Sequence, residues 1–245
     1  MSSPAEYYKS LPPITKTYAT TCFLATVALK LGLYSPWLIA LLYDQVFYHF
    51  QVWRLFTNFF MLGGFSVNFA IRLLMILRYG VQLEKGVFDR RTADFLWMMI
   101  SGAFSLLVLS AIPFFWTPFM AVSLVFMLVY VWSREFPNAQ ISFYGLVSLK
   151  AFYLPWVTLA LDVIFGSPIM PDLLGIIAGH LFYFLTVLHP LAGGKNYLKT
   201  PMWVHKLVAR LRIGAPQVTR GQPVNNVQQE SSSGVFRGRS YRLNG

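Results

Sequence analysis

Cysteine is nearly absent: Cys22 stands alone among 245 residues. A disulfide framework within the chain is therefore excluded, and no Cys/His spacing resembles a zinc site. Charge is scarce too. Asp, Glu, Lys and Arg make up 12% of the residues, against roughly a quarter in an ordinary soluble domain. The sequence has no phosphate-binding loop, no Asn-x-Ser/Thr sequon and no internal repeat, and no cofactor is expected. What it has in abundance is apolar surface, with 56% hydrophobic residues including 22 Phe, 13 Tyr and 7 Trp. A water-soluble globule cannot hide that much, so an integral membrane protein is expected.

The few charges are unevenly placed. Twenty Lys and Arg against nine acids give +11, and nine of those basic residues fall in 191–245 beside a single acid, Glu230. A basic tail behind an apolar body reads as a segment facing an anionic membrane surface, and nucleic-acid binding is not expected.

Six apolar stretches can be drawn, at 18–38, 55–79, 95–115, 117–133, 143–165 and 172–190. Each is near the roughly 20 residues that carry a helix across about 30 Å of hydrocarbon, and none alternates as a barrel strand would. The expected fold class is an all-α membrane protein with six transmembrane helices. The residues before the first stretch are too long and acidic for a signal-peptide n-region, so that stretch is expected to anchor rather than be removed.

Basic residues sort across such a membrane. Lys9, Lys16, Arg78, Lys85, Arg90, Arg91, Arg134 and the tail fall on one side, and only Arg54 on the other. The positive-inside rule then places both termini in the cytosol. The expected organisation is a cytosolic segment 1–17, a membrane domain 18–190, a juxtamembrane basic amphipathic helix 191–212 and a disordered tail 213–245. The stretch LIALLYDQVFYHFQVW, 38–53, reads as an interface-lying external segment. In MWVHKLVARLRI, Trp203, Val204, Leu207, Val208 and Leu211 share one arc, with Thr200–Pro201 supplying an N-cap and first-turn proline.

Ionisable residues at membrane depth are functional candidates by default, because an unpaired charge there is costly. Arg72 falls midway along the second stretch, Lys150 a third into the fifth, and Asp162 near its far end. Snorkelling toward the nearer interface accounts for Lys150 and Asp162, whereas Arg72 is the harder one to place that way. Gly175 and Gly179 form a small-xxx-small pattern that lets helices approach closely, and His180 follows at once.

Together, Trp53–Arg54, the stretch Leu83-Glu84-Lys85-Gly86…Arg91-Thr92-Ala93-Asp94-Phe95, and Gly175…Gly179-His180 resemble the Derlins, rhomboid-like pseudoproteases of the endoplasmic reticulum membrane. The resemblance covers about residues 6–200 and takes in Asn58 and the entry Tyr7–Tyr8…Pro12–Pro13. In the tail, the run 234–245 with Phe236, Gly238, Arg242 and Leu243 resembles the box by which many Derlins bind the valosin-containing AAA+ ATPase. That box usually ends Arg-Leu-Gly, and here Asn244 is inserted.

The resemblance implies a six-helix rhomboid-like bundle with a lateral opening between its second and fifth helices. It also implies a non-catalytic part in endoplasmic-reticulum-associated degradation, moving misfolded lumenal and membrane clients to the cytosol. The implied partners are that ATPase, a ubiquitin-ligase complex, clients and the lipid bilayer, with homo- or hetero-oligomers left open. Trp53 and Arg54 are expected to brace the external loop, and Gly175 and Gly179 to pack the sixth helix. Rhomboid proteases carry Gly-x-Ser-Gly on the fourth helix, whereas Ser123 here has no glycine on either side. No preformed oxyanion donors are expected beside it, so proteolysis is not expected. An active intramembrane protease and a passive lipid-organising or trafficking scaffold remain the rival readings.

Overall fold

Proline and glycine decide where several of the helices begin and end. In the computed structural model, residues 4–143, 147–195, 197–211 and 213 are described, all within the compact unit Met1–Ala215. After a short helix Pro4–Ser10, α1 (Pro13–Lys30) starts on Pro13, whose fixed φ suits a first turn. It ends at Gly32, where φ is +70° and the Leu33 N–H returns to the Ala28 carbonyl at 3.0 Å. That turn, followed by Pro36, stops the helix well short of residue 38.

The second helix also starts late. Residues expected to begin it fold instead as a short helix Arg54–Thr57 and a tight turn Asn58–Phe60. Then α2 (Val67–Met75) opens with the Ser66 hydroxyl accepting the Phe69 N–H at 3.1 Å. It continues through wider π turns at Ile76–Gly80 and Leu83–Val87. Arg72 therefore sits in the second turn of α2 rather than midway along a span.

The chain goes on as α3 (Thr92–Ser110) and α4 (Ala121–Glu135). A hairpin of β1 (Gln140–Phe143) and β2 (Val147–Lys150) follows, antiparallel with Gln140 opposite Lys150. After it come α5 (Leu154–Ile164) and α6 (Ile169–Tyr183), the latter extended through Phe184–Leu188 and His189–Leu191. The fold is mostly helical, and this hairpin corrects the all-α expectation. It also places Lys150 at the exposed end of β2, ahead of the fifth helix and not a third of the way into it. By length and composition, two helices among the described residues could cross a membrane, Thr92–Ser110 and Ile169–Leu191.

The centre of the bundle is α4, in which every residue from Ala121 to Ser133 is buried. A helix apolar on all sides must be surrounded on all sides. The closest neighbour is α6, which reaches it through glycine. A Cβ at Gly175 would overlap the Ser123 carbonyl oxygen and lie 2.5 Å from the Phe126 Cβ, while one at Gly179 would lie 2.9 Å from both the Cβ and the ring of Tyr130.

Contacts between connections fall at two ends. At one, the Leu41 N–H donates to the Pro118 carbonyl and the Trp116 indole to the Leu41 carbonyl. At the other, Lys85 donates to the Ser10 carbonyl at 2.7 Å, and α7 (Met202–Arg210) rests Val204 and Val208 on Ala93, Leu96 and Trp97. The expected apolar arc of α7 is thus divided, with Trp203, Leu207 and Leu211 left facing outward. Thr200 does not cap α7. Its hydroxyl donates instead to the Asp94 carboxylate at 2.6 Å, and Pro201 takes the N-cap position.

Gly175 meets backbone at the shorter distance, and Gly179 meets the Tyr130 Cβ and the root of its ring, so both positions resist a side chain and Gly175 resists it more. Gly175→Ala is expected to cost about 1–3 kcal/mol by overpacking and Gly179→Ala less, read as unfolding temperatures in detergent micelles. Equal losses would contradict the packing described.

Candidate functional site

The glycine contact decides what lies opposite what. With Gly175 seated on the Ser123 backbone, His180 comes level with Tyr130, and the Tyr130 hydroxyl and His180 Nδ1 are 2.7 Å apart. Tyr130 lies two helical turns beyond Ser123, a rise of about 10 Å. Ser123 Oγ is buried and has no hydrogen-bond partner, and the Ser123–His180 pair a serine protease would require is not formed.

A second cluster joins α2 to α5 near the opposite end. Arg72 Nη2 donates to Asp162 Oδ2 at 2.8 Å, and both side chains are about nine-tenths buried, at 11% and 10% exposure. Asp162 therefore does not snorkel; it is neutralised across the helix pair. Local backbone completes the group. Gly166, with φ +75°, lets the Ser167 N–H return to the Asp162 carbonyl at 2.8 Å and end α5. That turn places Ser167 Oγ to accept from Asn68 Nδ2 at 3.0 Å and Arg72 Nη2 at 3.2 Å.

Close by, Asp172 in the first turn of α6 is fully buried, and neither of its carboxylate oxygens has a hydrogen-bond partner. It lies within electrostatic reach of both Arg72 and Asp162. The cluster thus holds one cation and two carboxylates, with Arg72 Nε also unpartnered. Such a seam gathers hydrogen-bonding groups inside an otherwise apolar bundle. Asn68, Ser167 and Asp172 were not singled out from the sequence. A second acid ten residues after Asp162 was the available signal.

Arg54 is buried in the connection before α2. Its Nε donates to Gln51 Oε1 at 2.7 Å, and its Nη1 to the carbonyls of Trp37 and Ala40. Asn58 Nδ2 in turn donates to the Arg54 carbonyl at 2.6 Å. Trp53 is about half exposed and takes no part in this network.

Glu84 has a part no spacing announced. Its carboxylate accepts the N–H groups of Ile14 and Thr15 at 3.0 and 2.8 Å and the Thr15 hydroxyl at 2.7 Å. An acid from α2 thus caps the start of α1, where Pro12 has no side-chain donor or acceptor to offer. Phe236, Gly238, Arg242 and Leu243 lie outside the described residues.

A family model described as the Der1-like family matches residues 11–202. The chain is similar to Derlin-1 of Arabidopsis thaliana, at 68% identity over 99% of each chain, and to Derlin-1 of Oryza sativa subsp. japonica, at 67% over 99% of each. A probable derlin-2 homolog of Dictyostelium discoideum is 41% identical over 85% of this chain and 84% of its own.

The α2–α5 ion pair has a definite expected signature. Removing one partner leaves buried charge uncompensated, so Arg72→Ala is expected to lose about 3–5 kcal/mol. Adding Asp162→Ala to it should cost less than the two single losses together, since the second change removes one stranded charge. A double-mutant cycle of unfolding free energies in micelles checks this, and strict additivity would count against a working pair.

Proposed function

The chain belongs to the Der1-like family, the Derlins, and from that premise we propose that it is a non-catalytic, multi-pass component of endoplasmic-reticulum-associated degradation. In this reading α1 to α6 are six spans of a rhomboid-like bundle, with both termini in the cytosol. Misfolded lumenal and membrane proteins would pass along α2 and α5 on their way out.

The observation that carries this reading is the pairing of two features: a serine boxed in beneath Gly175, and a polar seam between α2 and α5. The first removes a nucleophile from its base. The second offers hydrogen-bonding groups in an otherwise apolar bundle. Helix length adds support. α4, with 15 residues, is about 22 Å long and α5, with 11, about 17 Å, both short of a hydrocarbon core of about 30 Å. Lipid around them would thin to match, which lowers the cost of moving polar backbone across. Arg54 would hold the lumenal loop by tying the Trp37 and Ala40 carbonyls to the Gln51 side chain.

Force must come from elsewhere, since the sequence contains no phosphate-binding loop. We assign it to the valosin-containing AAA+ ATPase, docked on the tail through Phe236, Gly238, Arg242 and Leu243, beside a ubiquitin-ligase complex. Polar linkers that carry a short apolar and basic segment suit such capture, folding as they bind.

Deleting residues 236–245 is expected to stabilise a misfolded lumenal client while its ubiquitylation continues, measured by pulse-chase with ubiquitin blotting. Unchanged client turnover would favour the passive scaffold. Ser123→Ala and His180→Ala are expected to leave the protein's effect on a transmembrane client unaltered, and loss of client cleavage in both would favour the protease.

A further inference from the structure

At the end of the bundle where α7 rests on α3 lies a half-open cavity of about 510 Å³, lined by the start of α3, the end of α4, the end of α6 and the chain leading into α7. Its lining is divided by chemistry. Phe88, Trp97 and Phe182 supply apolar wall, and charged groups of both signs supply the rest.

Most of those charges are already engaged. Asp94 is held by Arg91 at 2.6 Å and by Thr200 at 2.6 Å, with His205 at 3.9 Å. Two are not: neither Lys199 nor the half-buried Glu135 has a hydrogen-bond or ion-pair partner among the described residues, and both line the cavity. An unpaired ammonium and an unpaired carboxylate on one cavity suit a ligand bearing an anion and a cation close together. Lys199, which lines the cavity together with His205 and Arg91, suits the anion, and Glu135 suits the cation.

Depth narrows the ligand. Trp97 and Trp203 meet edge to face with ring centroids 6.0 Å apart, and α7 shows apolar Trp203, Leu207 and Leu211 beside basic Lys206 and Arg210. Indoles and a basic amphipathic helix belong at the boundary between headgroups and acyl chains. A phosphate held at that boundary suits a lipid headgroup, with Phe88, Trp97 and Phe182 as the apolar wall beside it.

We propose that this cavity binds the headgroup of a phospholipid in which a primary ammonium stands beside the phosphodiester, as in phosphatidylethanolamine, with Lys199 on the phosphate and Glu135 on the ammonium. A primary ammonium donates three hydrogen bonds to carboxylate and carbonyl oxygens, whereas a trimethylated one donates none. The site therefore separates two abundant lipids by one chemical difference. The inference rests on the membrane placement proposed above and not on the degradation role.

The test is thermal unfolding of the full chain in micelles, titrated with phosphatidylethanolamine, phosphatidylcholine of the same acyl chains, and soluble glycerophosphoethanolamine. Phosphatidylethanolamine is expected to raise the unfolding temperature saturably, with phosphatidylcholine about tenfold weaker. Lys199→Ala and Glu135→Gln should each weaken the phosphatidylethanolamine response about tenfold while lipid-free unfolding stays put. Equal responses to the two lipids, or full responses from both variants, would overturn the assignment. Soluble headgroup binding as tightly as the lipid would overturn the lipid source. If the lipid fails to bind while deletion of 236–245 still stabilises clients, the site alone is wrong.

Discussion

Everything in this bundle is arranged around one contact, the glycine face of α6 against α4. A central helix buried along its length needs a neighbour that can come close, and only residues without a side chain allow backbone to meet backbone there. Once Gly175 sits on the Ser123 carbonyl, the remaining correspondences follow from the helical rise. Tyr130 meets His180, the hydroxyl of Ser123 is sealed in without a partner, and the first turn of α6 carries Asp172 into the interior. A contact that stabilises the fold is thus also the one that keeps serine and histidine apart.

The second constraint is charge in an apolar setting. Arg72, Asp162 and Asp172 are few enough to pick out and deep enough to need each other. The pair that joins α2 to α5 takes a partner from each helix, so its geometry depends on how those helices sit. Ser167 and Asn68 belong to the same arrangement because the chain turns at Gly166. One ion pair satisfies one carboxylate and leaves the other, and that imbalance distinguishes a polar seam from a simple structural salt bridge.

Much of this could be read from the residues before any coordinates. Composition announced a membrane protein, the sorting of Lys and Arg separated the connections into two groups, and Gly175 and Gly179 marked a packing face. The failures have physical causes. Apolar runs say where a helix could lie but not where a proline or a positive-φ glycine ends it, so α1 and α2 were drawn too far toward the loop between them. Strands β1 and β2 escaped because β2 falls inside the apolar stretch 143–165, although Gln140, Ser142, Ser148 and Lys150 alternate with apolar residues along the two strands. Glu84 escaped for a different reason. Its partners lie 69 and 70 positions away, and no local pattern encodes a cap delivered by another helix.

That distant cap bears on how the molecule is made. The amide groups of Ile14 and Thr15 emerge from the ribosome long before the acid that satisfies them, and Pro12 offers nothing in the interim. Until the polypeptide has looped back and laid α2 alongside, only water can meet those two amides. The start of α1 and the far end of α2 are therefore one unit of structure, closed at its base by Glu84.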